Sequence, residues 1–105
     1  MELNEYQQLA QKTAIYQNKL YPIASLGAEA QEFADLFYKP WLRGDNDGQA
    51  PERDKVISEA GDVLWNLANA LADAGITLNE VAVYNIQKVT DRAARGVIKG
   101  SGGDR

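Results

Sequence analysis

The sequence predicts an all-α protein. Four stretches carry apolar residues at helical three- and four-residue spacing, and no segment shows the strict alternation of a half-buried strand. Prolines, glycines and capping residues separate the four stretches. The first is predicted over residues 2–20, with Leu3, Tyr6, Leu9, Ala10, Thr13 and Leu20 on one side. Pro22 in "YPIAS" interrupts it, because a proline disfavours helix at the residue before it. The second runs from Ser25, read as an N-cap, to Lys39, where Pro40 stops it; its apolar side is Leu26, Ala30, Phe33, Leu36 and Phe37. Residues 40–51, "PWLRGDNDGQAP", form a loop of breakers. Asp45 and Asp47 there do not make a calcium loop, since Gly48 falls too early and no closing Glu follows.

Pro51 opens the third helix, which continues to Ala74 with Gly75 as its C-cap glycine. Its predicted core stripe is Ile57, Ala60, Leu64, Leu67, Ala68 and Leu71. "TLNE" at 77–80 is a capping box that opens the fourth helix, ending at Arg95. Residues 1–95 thus read as one helical domain and 96–105 as a flexible, glycine-rich tail.

The chain of 105 residues contains neither cysteine nor histidine. Disulfides, thiolate chemistry and imidazole ligation are therefore excluded, and any catalysis runs on carboxylates, Lys, Tyr, hydroxyls or a metal. No stretch approaches the ~20 apolar residues of a membrane span, and the N-terminus is too polar for a secretory signal, so the chain reads as cytoplasmic. The net charge of -4 argues against a nucleic-acid polymer as partner. It is unevenly spread: residues 1–87 hold 6 cations and 13 acids, residues 88–105 hold 5 cations and 2 acids.

Two acid pairs share one spacing, "EAQE" at 29–32 and "EAGD" at 59–62. Glu59 and Asp62 lie off the apolar stripe of the third helix, on the side of Asn66, and by themselves read as a solvated face. Glu29 argues otherwise: it falls inside the apolar stripe between Leu36 and Phe33, with Glu32 at the edge and no Lys or Arg at i+3 or i+4. Like charges ~4 Å apart repel by about 4 kcal/mol at an effective dielectric of 20, a term that a bound cation reverses. An all-oxygen donor set favours Mg²⁺, with Mn²⁺ as the alternative. A di-iron site of the ferritin type is excluded by the missing histidines.

On the fourth helix Val81, Tyr84, Asn85, Lys88, Arg92 and Arg95 form a face opposite Leu78, Ala82, Ile86, Val89 and Ala93. A basic face near a helix C-terminus also complements the macrodipole without any ligand. Beside a magnesium site, however, Asn85, Lys88, Arg92 and Arg95 suit a triphosphate.

These residues resemble the MazG-like members of the all-α nucleoside triphosphate pyrophosphohydrolase superfamily. The ExxE and ExxD pairs carry the resemblance, together with the run "NIQKVTDRAARGVIKGSGGDR". The resemblance implies an antiparallel helical bundle completed as a homodimer or homotetramer. It makes Glu29, Glu32, Glu59 and Asp62 the catalytic Mg²⁺ ligands, and Asn85 and Lys88, helped by Arg92 and Arg95, the phosphate holders. It also implies a (d)NTP substrate cleaved to (d)NMP and pyrophosphate, with one of the four acids taking the proton of the attacking water. Trp65, Asn66 and Phe33, with Trp41 and Tyr38, are the candidates for contacting the base, since aromatic planes stack and an amide reads an edge. A purine deoxynucleotide such as dGTP is the expected substrate. The alternatives are a relative specialised for dUTP or a modified nucleotide, and a non-catalytic helical interaction module.

Overall fold

The computed structural model describes residues 1–43 and 51–96, with side chains for 1–39 and 51–96. Four helices occupy these residues, α1 Leu3–Lys12, α2 Leu20–Arg43, α3 Arg53–Asp73 and α4 Leu78–Ala94, and no strand occurs among them. The loop at 44–50, with Asp45 and Asp47, and the tail from 97 lie outside the described residues. The helices do not all share one core. α2 packs mainly on α3, whereas α1 lies across the C-terminal half of α3 and is the main partner of α4. α2 and α3 run antiparallel, since Glu29 meets Glu59 and Asp62 while Phe37, nearer the end of α2, shares a groove with Arg53 and Val56.

Helix boundaries depart from the pattern where local hydrogen bonds outbid periodicity. α1 ends at Lys12 instead of 20, because Thr13 turns inward and its hydroxyl donates to the Ala10 carbonyl at 2.7 Å. α2 then begins at Leu20, five residues before the predicted N-cap Ser25. Asn18 starts it, its Oδ1 accepting from the Leu20 N–H and its carbonyl from the Tyr21 N–H, both at 2.9 Å. Pro22 therefore sits in the first turn, where a missing N–H costs nothing, and its ring is fully buried. Pro40 does not end α2, which runs three residues further; one ladder bond is lost there and the helix continues. α3 starts at Arg53 after the N-cap Glu52, leaving Pro51 outside it.

The closing signals behave as expected. Gly75 adopts φ 77°, and the Ile76 N–H donates to the Leu71 carbonyl (2.9 Å) while Gly75 donates to Ala72 (3.0 Å), a Schellman end that needs glycine at its left-handed position. Thr77 Oγ1 accepts from the Glu80 N–H (3.1 Å) and Glu80 Oε1 from the Thr77 N–H (3.2 Å), the capping box of α4.

Packing reverses part of the predicted core. In α3 the buried residues are Asn66, Ala68 and Asn69, the last with no exposure, whereas Ile57 keeps 53% and Leu64 36%. In α1, Gln7 and Ala10 are buried while Leu3 and Leu9 remain exposed, and in α4 Leu78 is buried while Ile86 is open. Among the described residues the buried apolar nucleus is Ala10, Ala68 and Leu78, with Tyr6, Trp65, Leu67 and Leu71 packed around it.

Buried amides hold this small core together. Gln7 Nε2 donates to the carbonyls of Ala68 and Ile76, both at 3.0 Å, and its Oε1 accepts from the Leu78 N–H at 2.9 Å. One side chain so ties α1 to α3, to the α3–α4 turn and to the first turn of α4. Asn69 Oδ1 accepts from Gln11 (3.1 Å) while its Nδ2 donates to the Trp65 carbonyl (3.1 Å). Tyr16 donates to Asp73 Oδ2 at 2.6 Å, and burial, then the Asp73 bond and charge, push its phenol up to about 12.

Gln7→Met keeps the volume but strands backbone groups at both ends of the α3–α4 turn, so urea denaturation is expected to show a loss of about 2–4 kcal/mol. The Tyr16 pKa is raised above its ordinary 10.0, so the stability it confers is whole below pH 10 and lost as pH rises towards about 12. Spectrophotometric titration of the tyrosines should show a phenol titrating towards about 12 that is missing in Tyr16→Phe.

Candidate active site

The α2–α3 seam brings acids together. Glu29, on the buried side of α2, reaches Glu59 and Asp62 on α3, and one carboxylate oxygen from each lies within 4.8 Å of the others. Glu29 and Glu59 are half-buried, while Asp62 is exposed. Glu32 is exposed and stands outside that cluster, but its carboxyl helps to raise that of Glu29. Burial raises the Glu29 carboxyl above its ordinary value first, then Glu32, then the charges of Asp62 and Glu59. The charged form of Glu29 is therefore disfavoured where it stands, and the cluster is repulsive by itself.

Two oxygens decide what this repulsion is for. Glu29 Oε2 and Glu59 Oε2 are buried and have no hydrogen-bond partner. Buried polar atoms in folded proteins are almost always satisfied, and no described Lys or Arg side chain forms an ion pair with this cluster. The atoms left bare are hard, anionic and convergent, so the residues present fit a divalent cation of the Mg²⁺ or Mn²⁺ kind.

The base candidates are dispersed. Trp65 belongs to the fold: its Nε1 donates to Thr13 Oγ1 at 2.8 Å, and its ring meets Tyr16 edge-on at 6.2 Å. Phe33 is half-buried one turn beyond Glu29 and packs on Phe37 at 5.6 Å. Asn66 is buried, its Nδ2 donating to the Asp62 carbonyl at 2.9 Å. Tyr38 is exposed, and the Trp41 side chain lies outside the described set.

The stripe of α4 is formed, but its helix has no extended packing on α2 or α3. Asn85 and Lys88 line an open groove with Tyr84 and Val81, and Lys88 Nζ lies 5.8 Å from the Tyr84 ring centre. Arg92 is half-buried, and Arg95 pairs with Asp91 at 2.8 Å. Among the described residues no hydrogen bond or ion pair joins the stripe to the carboxylates. Tyr6 of α1 packs on the small core, and its phenol is raised by burial and then by the Asp62 charge. The sequence placed Tyr6 in a core stripe, and there it packs.

Comparison with known proteins agrees with the helical, carboxylate-bearing architecture. The family model of the MazG nucleotide pyrophosphohydrolase domain matches residues 17–97, which include both acid pairs and the α4 stripe. The "Gene 37 protein" of Mycobacterium phage L5 is 34% identical over 116 aligned positions that span the whole of both chains, and its name states no activity. No solved structure matches the chain. With the family match extending across the carboxylate seam and all of α4, the chain belongs to the MazG nucleotide pyrophosphohydrolase domain family.

Proposed function

We propose that the protein hydrolyses a nucleoside triphosphate to the monophosphate and pyrophosphate, with Mg²⁺, or alternatively Mn²⁺, held by Glu29, Glu59 and Asp62. The observation that carries this reading is the pair of buried, unpartnered carboxylate oxygens in a cluster that no described side chain neutralises. When bound, the divalent ion supplies charge neutralisation for the polyphosphate and lowers the pKa of a bound water. The chain's own residues do the rest. Glu29, Glu59 and Asp62 would hold that ion where it can face the polyphosphate, since three carboxylates alone would repel it. Glu32, open to water and outside the cluster of three, is the acid left over to receive the proton of the attacking water. Water oxygen adds to the α-phosphorus, the bond to the bridging oxygen breaks, and pyrophosphate leaves.

Phe33, on the same side of α2 as Glu29, offers a stacking surface for the base, and a purine deoxynucleotide such as dGTP is the proposed substrate. Asn85, Lys88, Arg92 and Arg95 are proposed as phosphate contacts. Because α4 packs on α1 and not on the acid-bearing helices, this role is best served in a homodimer or homotetramer, where α4 of another copy approaches the seam. A radius of gyration of 16.4 Å, against about 13 Å for a compact domain of this length, supports such an assembly, as do exposed Ile15, Ile57 and Ile86.

With a panel of NTPs, dNTPs and dUTP, pyrophosphate rather than orthophosphate should appear and EDTA should stop it. Glu59→Gln and Asp62→Asn should each lower kcat/KM on the order of 100-fold or more; unchanged turnover in either would sink the assignment. Mg²⁺ at 100 times its dissociation constant should stabilise the protein by about 2.7 kcal/mol, a rise of about 10–20 °C in Tm. Without metal the sign at Glu29 is opposite to that of an ordinary paired carboxylate. Its folded pKa is raised above the ordinary 4.5, so stability is greatest at acid pH and falls as pH rises through the raised value. Glu29→Gln should flatten that slope and abolish the Mg²⁺ shift, both read by thermal denaturation.

A further inference from the structure

Asn66 is the third buried oxygen without a partner. The residue keeps only 5% of its exposure, and its Oδ1 joins Glu29 Oε2 and Glu59 Oε2 as a buried side-chain oxygen that no donor meets. Its amide is not loosely placed. Nδ2 donates to the Asp62 carbonyl at 2.9 Å, which folds the side chain back over the preceding turn of α3, the turn that carries Asp62. Side chains on a helix lean towards its N-terminus, and residues 59, 62 and 66 fall on one side of α3. The hydrogen bond also fixes the amide orientation, since a flipped amide would set oxygen against oxygen.

A buried amide acceptor with no donor is costly and rare in folded proteins, and a bound ion is one of the things that supply the missing partner. A nucleobase is a poor candidate, because a side chain 5% exposed leaves no room for an edge to approach. A small cation at the neighbouring carboxylates needs no such room. Three acids already exceed the charge of a divalent ion, so a further ligand without charge adds coordination without adding repulsion.

We propose that Asn66 is an uncharged ligand of the metal centre, its amide oxygen facing the same divalent cation as Glu29, Glu59 and Asp62. The inference rests on the metal-dependent reading of the site, and it shifts Asn66 from the base to the metal. The test is MgCl₂ binding to the full chain without nucleotide, followed by calorimetry and by thermal denaturation. Asn66→Leu, close in shape, should weaken Mg²⁺ about tenfold or more while leaving the helical circular dichroism intact. Asn66→Asp, which adds a negative oxygen at the same place, should lower metal-free stability and tighten Mg²⁺. Should Asn66→Leu unfold, the aspartate variant alone decides. Mg²⁺ affinity unchanged in the folded variants, with Glu59→Gln still abolishing it, overturns the role of Asn66 and leaves the metal site standing. Mg²⁺ affinity unchanged in Asn66→Leu with KM for nucleotide raised returns Asn66 to the base and likewise overturns the proposal. If Glu59→Gln also binds Mg²⁺ as the natural chain does, the underlying reading has failed.

Discussion

The architecture depends on a single buried amide. Gln7 saturates two carbonyls and one N–H that belong to α3, the α3–α4 turn and α4, and it does so from α1, more than sixty residues away in sequence. The apolar nucleus around it is three small or medium side chains, too little to fix four helices by area alone. Directional bonds replace area here. Asn69 and Gln11 extend the same device along α3, and Tyr16 closes it at Asp73. The consequence is an α1 docked by geometry, able to pack on α3 and to carry α4.

The α2–α3 seam obeys the opposite rule. There the polar atoms are left unsatisfied, with carboxylates facing one another and a raised Glu29. A chain whose amides elsewhere meet their partners and whose acids here do not has placed its frustration in one spot. Unfavourable electrostatics concentrated in a seam is what a cation site requires, because the repulsion that weakens the free protein becomes affinity when the ion arrives. Three of the four acids of the two pairs, Glu29, Glu59 and Asp62, converge where antiparallel α2 and α3 meet, while Glu32 stays outside.

The protomer also leaves work undone. Ile57 and Leu64 on α3, and Ile86 on α4, point out of a body more extended than its length requires. The stripe of Asn85, Lys88, Arg92 and Arg95 stands on a helix that has no extended packing on the acids. Both features are what the proposed assembly would use, since exposed apolar surface and basic charge suit a neighbouring copy.

The sequence by itself determined the helical class, the number of helices, the glycine and capping-box signals around α3 and α4, and the two acid pairs. Each of these is written in local spacing, turn chemistry or charge. Glu29 was legible as an anomaly for the same reason, since a carboxylate inside an apolar stripe contradicts its neighbours within two turns. Only the tertiary structure decided where α1 ends, that Pro22 and Pro40 lie inside α2, and that α3 buries Asn66 and Asn69 while Ile57 and Leu64 face outward. Periodicity ranks residues by hydropathy and cannot foresee a buried Gln or Asn, whose desolvation is compensated only by hydrogen-bond partners distant along the chain. The same limit applied to the site: the four acids could be named from the sequence, but which three converge, and which oxygens are left bare, was set by the packing of α2 on α3.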